Sequence, residues 1–401
     1  MRRSLLAAAA FLWTTVPGSA AEFAPVLRLD VLGGQSYLEA GDSNFGGNIF
    51  WSATPAVRLS DRDAFIPTLA GQFRRTYEAR ETVGGSFLTH TTLDTIVNLK
   101  WVHSFTEAIA LKPYFGFKNE MLSEVPGESL ERGLFNHHKF SGGLEFERLG
   151  ERLRSLRNTF AFYAVRFYNF ETLAAQKFGS EIRAGGAVLD FNAFDYTMAA
   201  DWLPWERGLL SGSVTASLRA FPDQNVVSSA GTFSDDSRAD LAWNGDLGIQ
   251  HRWRGWSVGA LDFEPAAGFH AGFAGLTSNQ NHYEASRLKY NQKYYDYHGL
   301  AAGPFVRLKA GRLETGLSYD YERKEYTQRL AQDEDGTYRG EETVYTNDHI
   351  WSYNLSLALT EFLSLKAQGA ARMSSSNTRY ERTYRYNFQS KHYFVGFGLR
   401  H

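Results

Sequence analysis

Thr91-Thr92-Leu93-Asp94-Thr95-Ile96-Val97-Asn98-Leu99-Lys100-Trp101 decides the fold. In an extended chain successive side chains point to opposite faces, so Thr91, Leu93, Thr95, Val97, Leu99 and Trp101 share one side. Thr92, Asp94, Ile96, Asn98 and Lys100 share the other. The same period of two recurs over 109–117, 138–146, 239–249, 351–359 and 363–373. Across these six segments the apolar faces hold 33 residues without one Asp, Glu, Lys or Arg, whereas the 27 intervening residues hold nine. At the chain's 21% charge content, chance would put about seven charges on the apolar faces. One face is therefore built for an apolar medium and the other for water.

Working outward, strands are expected near 26–32, 48–59, 64–77, 90–103, 109–120, 137–148, 157–170, 193–202, 209–221, 239–250, 257–273, 295–308, 312–326, 348–359, 362–373 and 390–401. That is about sixteen, with fourteen or eighteen open because 157–202 is the least regular stretch. Short connections at 60–63, 104–108, 203–208, 309–311 and 360–361 alternate with long polar ones. Many segments reach 9 to 13 residues, the length that crosses a bilayer at a tilt of about 45°. A soluble sandwich of this many strands would divide into two domains and would not alternate its connections so regularly.

The ends and the composition agree. Arg2 and Arg3, the apolar run Ser4 to Trp13 and the small residues up to Ala21 form a secretory signal peptide, expected to be cleaved at 1–21. The remainder, 22–401, is one unit. No run is apolar for long enough to make a transmembrane helix. Cysteine is absent, so neither a disulfide framework nor a thiolate metal site is available. A net charge of -2 gives no general attraction to nucleic acid, which is set aside as a partner. Aromatic residues make up 15% of the chain, a composition suited to strands and interfacial belts. No cofactor is expected.

Gly396-Phe397-Gly398-Leu399-Arg400-His401 resembles the C-terminal assembly signal of bacterial outer-membrane β-barrels. Gly396, Leu399 and the outward Tyr393, Val395 and Phe397 match it. His401 stands where Phe is usual, and Phe394 replaces a polar residue. The resemblance is to the class, porin-like, and implies an all-β, single antiparallel transmembrane barrel with both termini periplasmic. It also implies contact with outer-membrane lipid and with the barrel assembly machinery. Homo-oligomerisation stays open, since contacts between copies would lie on the apolar face.

Sixteen strands enclose a lumen wide enough for water. The leading function is passive diffusion of small polar solutes or ions. The alternation aims Arg58, Arg74, Lys100, Lys112 and Lys118 inward on strands two to five, and Asp240, Asp246, Asp262, Glu264, Glu314, Asp320 and Glu322 inward on strands ten to thirteen. These sets form opposed basic and acidic walls, as in general porins, unless adjacent strands neutralise them. The segment 122–136, with Glu124, Glu128, Glu131 and Arg132, follows the fifth strand, where porins fold a constriction loop inward; an ordinary solvated loop is the alternative.

Other features have bland and sharp readings. Tyr283, Tyr290, Tyr294, Tyr295 and Tyr297 suit an interface girdle or a sugar track. Asp333-Glu334-Asp335-Gly336 suits a solvated tip or a calcium loop. Arg152, Arg154 and Arg157 suit a solvated turn or a contact with cell wall. Catalysis is set aside: His103 and Ser104 point to opposite faces, as do His137 and His138, and His270 lies among inward acidic residues. A third class, an adhesin, receptor or secretion-assembly component acting through its external loops, remains the alternative to a pore.

Overall fold

The structure is a computed structural model that describes residues 22–39, 42–82, 85–170, 187–259, 261–284, 287–381 and 385–401. The expected signal peptide lies outside them. Sixteen long strands form one antiparallel ring. They are β1 (Leu27–Leu38), β2 (Asp42–Ala53), β3 (Asp63–Thr82), β4 (Gly85–Thr106), β5 (Ile109–Ser123), β6 (His137–Leu149), β7 (Leu153–Phe167) and β8 (Phe191–Trp202). The second half comprises β9 (Gly208–Val227), β10 (Phe233–Arg252), β11 (Leu261–Ser278), β12 (Tyr297–Ala310), β13 (Leu313–Gln332), β14 (Tyr338–Ala358), β15 (Leu363–Ser376) and β16 (Phe388–Arg400). Each strand pairs with its sequence neighbours. The last pairs with the first, from Arg28↔Arg400 to Leu38↔Ser390, which closes the ring and removes every open edge.

Local chemistry makes one rim of the barrel tight. Ser60 Oγ accepts from the amides of Arg62 and Asp63, Thr106 Oγ1 from Ala108, and Thr360 Oγ1 from Phe362 and Leu363. Hydroxyls that bond the chain two or three residues on favour turns over further strand. Both ends of the described chain reach this rim, where Leu27 and His401 exchange backbone hydrogen bonds.

The opposite rim corrects the expected loop lengths. The stretches 222–238 and 327–347 are mostly strand: β9 and β10 meet at a tip of 228–232, and β13 and β14 at 333–337. A strand of 20 residues spans about 66 Å, or about 47 Å along the barrel axis at 45°, well beyond an apolar band of about 25 Å. These walls project past the membrane.

Prolines sit where their missing donor costs least. Pro55 falls in the break between β2 and the short piece Ala56–Arg58, and Pro304 falls where the β12–β13 ladder is interrupted between Ala302 and Phe305. Pro67, Pro113 and Pro265 follow the same rule: each is paired on one edge, while the ladder on its other edge is interrupted at 66–68, 112–113 and 264–265.

Candidate functional site: the lumen

Outward positions are apolar around the ring. Leu99, Phe115, Leu144, Phe160, Met198, Leu218, Leu247, Phe269, Val306, Leu317, Leu355 and Leu365 all stand exposed on the barrel surface. Near the tight rim they give way to Trp101, Phe105, Trp202, Trp205, Trp253, Trp256 and Phe362, also exposed. Such a belt with an aromatic margin is costly in water and favourable in a bilayer, where closure is required because hydrocarbon satisfies no backbone donor. The chain is an outer-membrane β-barrel.

No family model matches the barrel, and no curated protein is similar to it. Among solved structures, the trimer form of in-vitro folded OmpT from Vibrio cholerae is 9% identical over 96% of this chain and 100% of its own, with a TM-score of 0.45. A bacterial polysaccharide outer membrane secretin is 11% identical over 94% of this chain and 98% of its own, with a TM-score of 0.43. CdiB from Acinetobacter baumannii is 9% identical over 94% of this chain and 60% of its own, with a TM-score of 0.47. These are likenesses of fold. The exclusion of catalysis drawn from the sequence is withdrawn: OmpT stands among these likenesses, and at 9–11% identity they do not assign or exclude an activity.

The inward residues form ion pairs between strands. Lys100 lies 3.4 Å and Lys112 2.9 Å from Glu145, and Lys112 is 2.7 Å from Glu147. Lys118 pairs with Glu120 and lies 3.6 Å from Asp94, while Arg74 pairs with Glu78. The expected basic wall is therefore neutralised at short range, chiefly by β6, whose carboxylates belong to its own inward set. Arg58 is not in the lumen: it pairs with Asp61 at 2.9 Å in the tight rim. Asp262 accepts from Ser257 Oγ at the same rim, and Glu264, 3.8 Å from Lys309, is exposed there.

The acidic side is less balanced. Asp240 is bound by Arg238 at 2.8 Å, Asp320 by His270, and Asp348 by Arg372 at 2.9 Å. Asp246 and Glu322 line a cavity of ≈ 390 Å³ with Asn244, Lys324, Asp348 and Arg372. No ion pair of Asp246 or Glu322 occurs among the described residues. A second cavity of ≈ 390 Å³ lies nearer the tight rim, lined by Arg28, Asp30, Asn48, Gln72, Glu314 and Lys366. Lys366 and Arg28 both bind Asp30, the latter at 2.5 Å. Each cavity has room for about a dozen waters.

Segment 122–136 does not deliver its charges to the lumen. Glu128 accepts from the Glu124 amide, and Glu131 and Arg132 are exposed in a single 3-10 turn, Leu130–Arg132. What turns inward is Phe135, which stacks on Phe87 at 4.3 Å and joins Phe167, Leu189, Phe191 and Phe221 in a buried cluster. Asp335 caps its own tip by accepting from Thr337, which pulls its carboxyl below the usual range. Among the described residues no three metal-binding side chains converge. Tyr295 and Tyr297 pack inward on Arg238 and Lys324 rather than facing lipid. His103 Nδ1 meets Asp63 at 2.8 Å, and His138 packs on Tyr168 outside.

The alternation signal did not reveal Asp30, Lys366, Asp348 and Arg372 as partners. Parity places each on the inward face, but pairing between β15 and β1 or β14 depends on closure and register.

Proposed function

We propose that the barrel is a diffusion channel for small polar solutes, with a preference for cations. The observation that supports this is the cavity of Asp246 and Glu322, where neither carboxylate is held in an ion pair among the described residues, although Lys324 and Arg372 share the lining, while Lys100 and Lys112 are already paired. Carboxylates outside ion pairs in a narrow aqueous path raise the local concentration of cations and repel anions. The tight rim with both termini is taken as periplasmic and the projecting strands as external. The closing strand β16 is taken as the segment met by the barrel assembly machinery.

Purified protein in a planar bilayer is expected to show discrete conductance steps and a reversal potential of the cation-selective sign under a salt gradient. Asp246→Asn with Glu322→Gln should lower the cation-to-anion permeability ratio by about twofold or more. Lys100→Glu should change it less, because Lys112 still holds Glu145. A wild-type protein that folds but never conducts would sink the channel reading.

A further inference from the structure

The ladder from β2 to β3 ends at Gly47↔Arg75, and that from β4 to β5 ends at Thr91↔Ser123. Beyond these points β3 and β4 pair only with each other, with a register shift between Arg75 and Glu78. Residues 76–82 and 85–90 thus pair as a hairpin outside the ladders of the barrel wall, bent at its base by a bulge. A hairpin standing in solvent leaves faces wet. Here Thr76 and Tyr77, and Thr89 and His90, are all under 8% exposed, so consecutive residues pointing in opposite directions are both covered. The hairpin therefore lies within the barrel mouth.

Its contacts say where. Thr76 Oγ1 lies 3.5 Å from Ser36 Oγ and 3.2 Å from His392 Nδ1. Asn44 Nδ2 donates to the Tyr77 hydroxyl at 2.8 Å, and Tyr77 packs with Leu38 and Phe388. Arg80, 3.6 Å from Glu120 and 3.4 Å from Glu78, anchors the base. Ala79 borders the same cavity as Asp246 and Glu322, which belong to β10 and β13 across the ring, and Arg372 of β15.

We propose that this hairpin, not the segment 122–136, is the constriction of the pore. It narrows the lumen from the β3–β4 side, so that solutes pass between Ala79 and the carboxylates of Asp246 and Glu322. The slit admits small cations and zwitterions and excludes larger or anionic solutes. The inference rests on the channel reading and deepens it by naming the element that sieves.

Two variants test it in bilayers and in proteoliposomes swelling in sugars of increasing size, with folding checked by circular dichroism and monodispersity in detergent. In the first, residues 79–88 are replaced by Asn-Gly, a two-residue turn that suits the pair Glu78↔Thr89. Conductance should rise by about twofold or more, and a trisaccharide should enter faster. In the second, Ala79→Trp, conductance should fall to about half or less with the fold intact. A conducting wild type whose conductance neither folded variant changes overturns the constriction and leaves the channel standing. If wild type and shortened hairpin are both silent, channel and constriction fall together.

Discussion

Arg238 and Asp240 show how a charge pair survives inside the barrel. Both side chains are 1% exposed, 2.8 Å apart, and the guanidinium lies between the rings of Phe221 and Tyr295 at 4.6 and 4.4 Å. Removing one partner strands the other in a dry site. Arg238→Leu should therefore destabilise the barrel by about 3–5 kcal/mol, while Arg238→Leu with Asp240→Leu should recover most of the loss. Urea unfolding followed by tryptophan fluorescence checks both, and a double variant as unstable as the single one would refute the account. Phe394, the departure from the expected C-terminal pattern, has a local cause. It is 2% exposed, and a Cβ at Gly46 would sit 3.1 Å from its ring and 2.5 Å from the Arg75 carbonyl. The aromatic fills the space that glycine leaves. Alternation put Phe394 on the inward face, but the hole it fills is made by a strand two places away in the ring.

At the scale of strands and loops, the two faces should respond differently to the same change. Leu247, 54% exposed, lies on the outward run from Ala239 to Ile249, whereas Asn244 borders the cavity of Asp246 and Glu322. Leu247→Lys should cost about 2–4 kcal/mol in lipid and Asn244→Lys far less, as measured by unfolding in vesicles. Equal losses would mean that the faces are assigned wrongly. The loop before β12 carries a pH signature. Asp296 is buried, and burial raises its carboxyl above the usual range although the Ser278 amide donates to it at 2.7 Å. Because the folded value exceeds the unfolded one, the proton favours the docked loop. Docking should strengthen as pH falls through the raised value and weaken as pH rises, the reverse of a salt-bridged carboxylate. Hydrogen exchange across 279–296, corrected for intrinsic rates, should show protection that declines as pH rises from the ordinary carboxylate range toward neutrality, and Asp296→Asn should flatten the decline. Strand positions inside the bilayer were legible because lipid imposes an apolar face on every second residue. Strand ends beyond it were not: in 222–227 and 327–332 only Asn225, Val227, Leu330 and Gln332 keep ladder partners, across register shifts, so the period of two is broken although the chain stays extended.

For the molecule as a whole, the sequence by itself determined an all-β barrel with lipid outside and a charged interior, since that division repeats along the chain at period two. Inward parity for Lys100, Lys112, Lys118, Asp246 and Glu322 was equally readable from it. Only the tertiary structure decided the number of strands, the neutralisation of the basic side by β6, and which carboxylates stay outside ion pairs. It also brought Phe135 of segment 122–136 onto Phe87 of the β3–β4 hairpin, a contact on which the proposed constriction by that hairpin leans. The physical reason is that alternation is a property of one strand and its solvent, whereas pairing of charges depends on which strands meet and in what register. Whether a hairpin stands in water or folds into the mouth depends on contacts such as Thr76 with His392, which lie 316 residues apart in the chain.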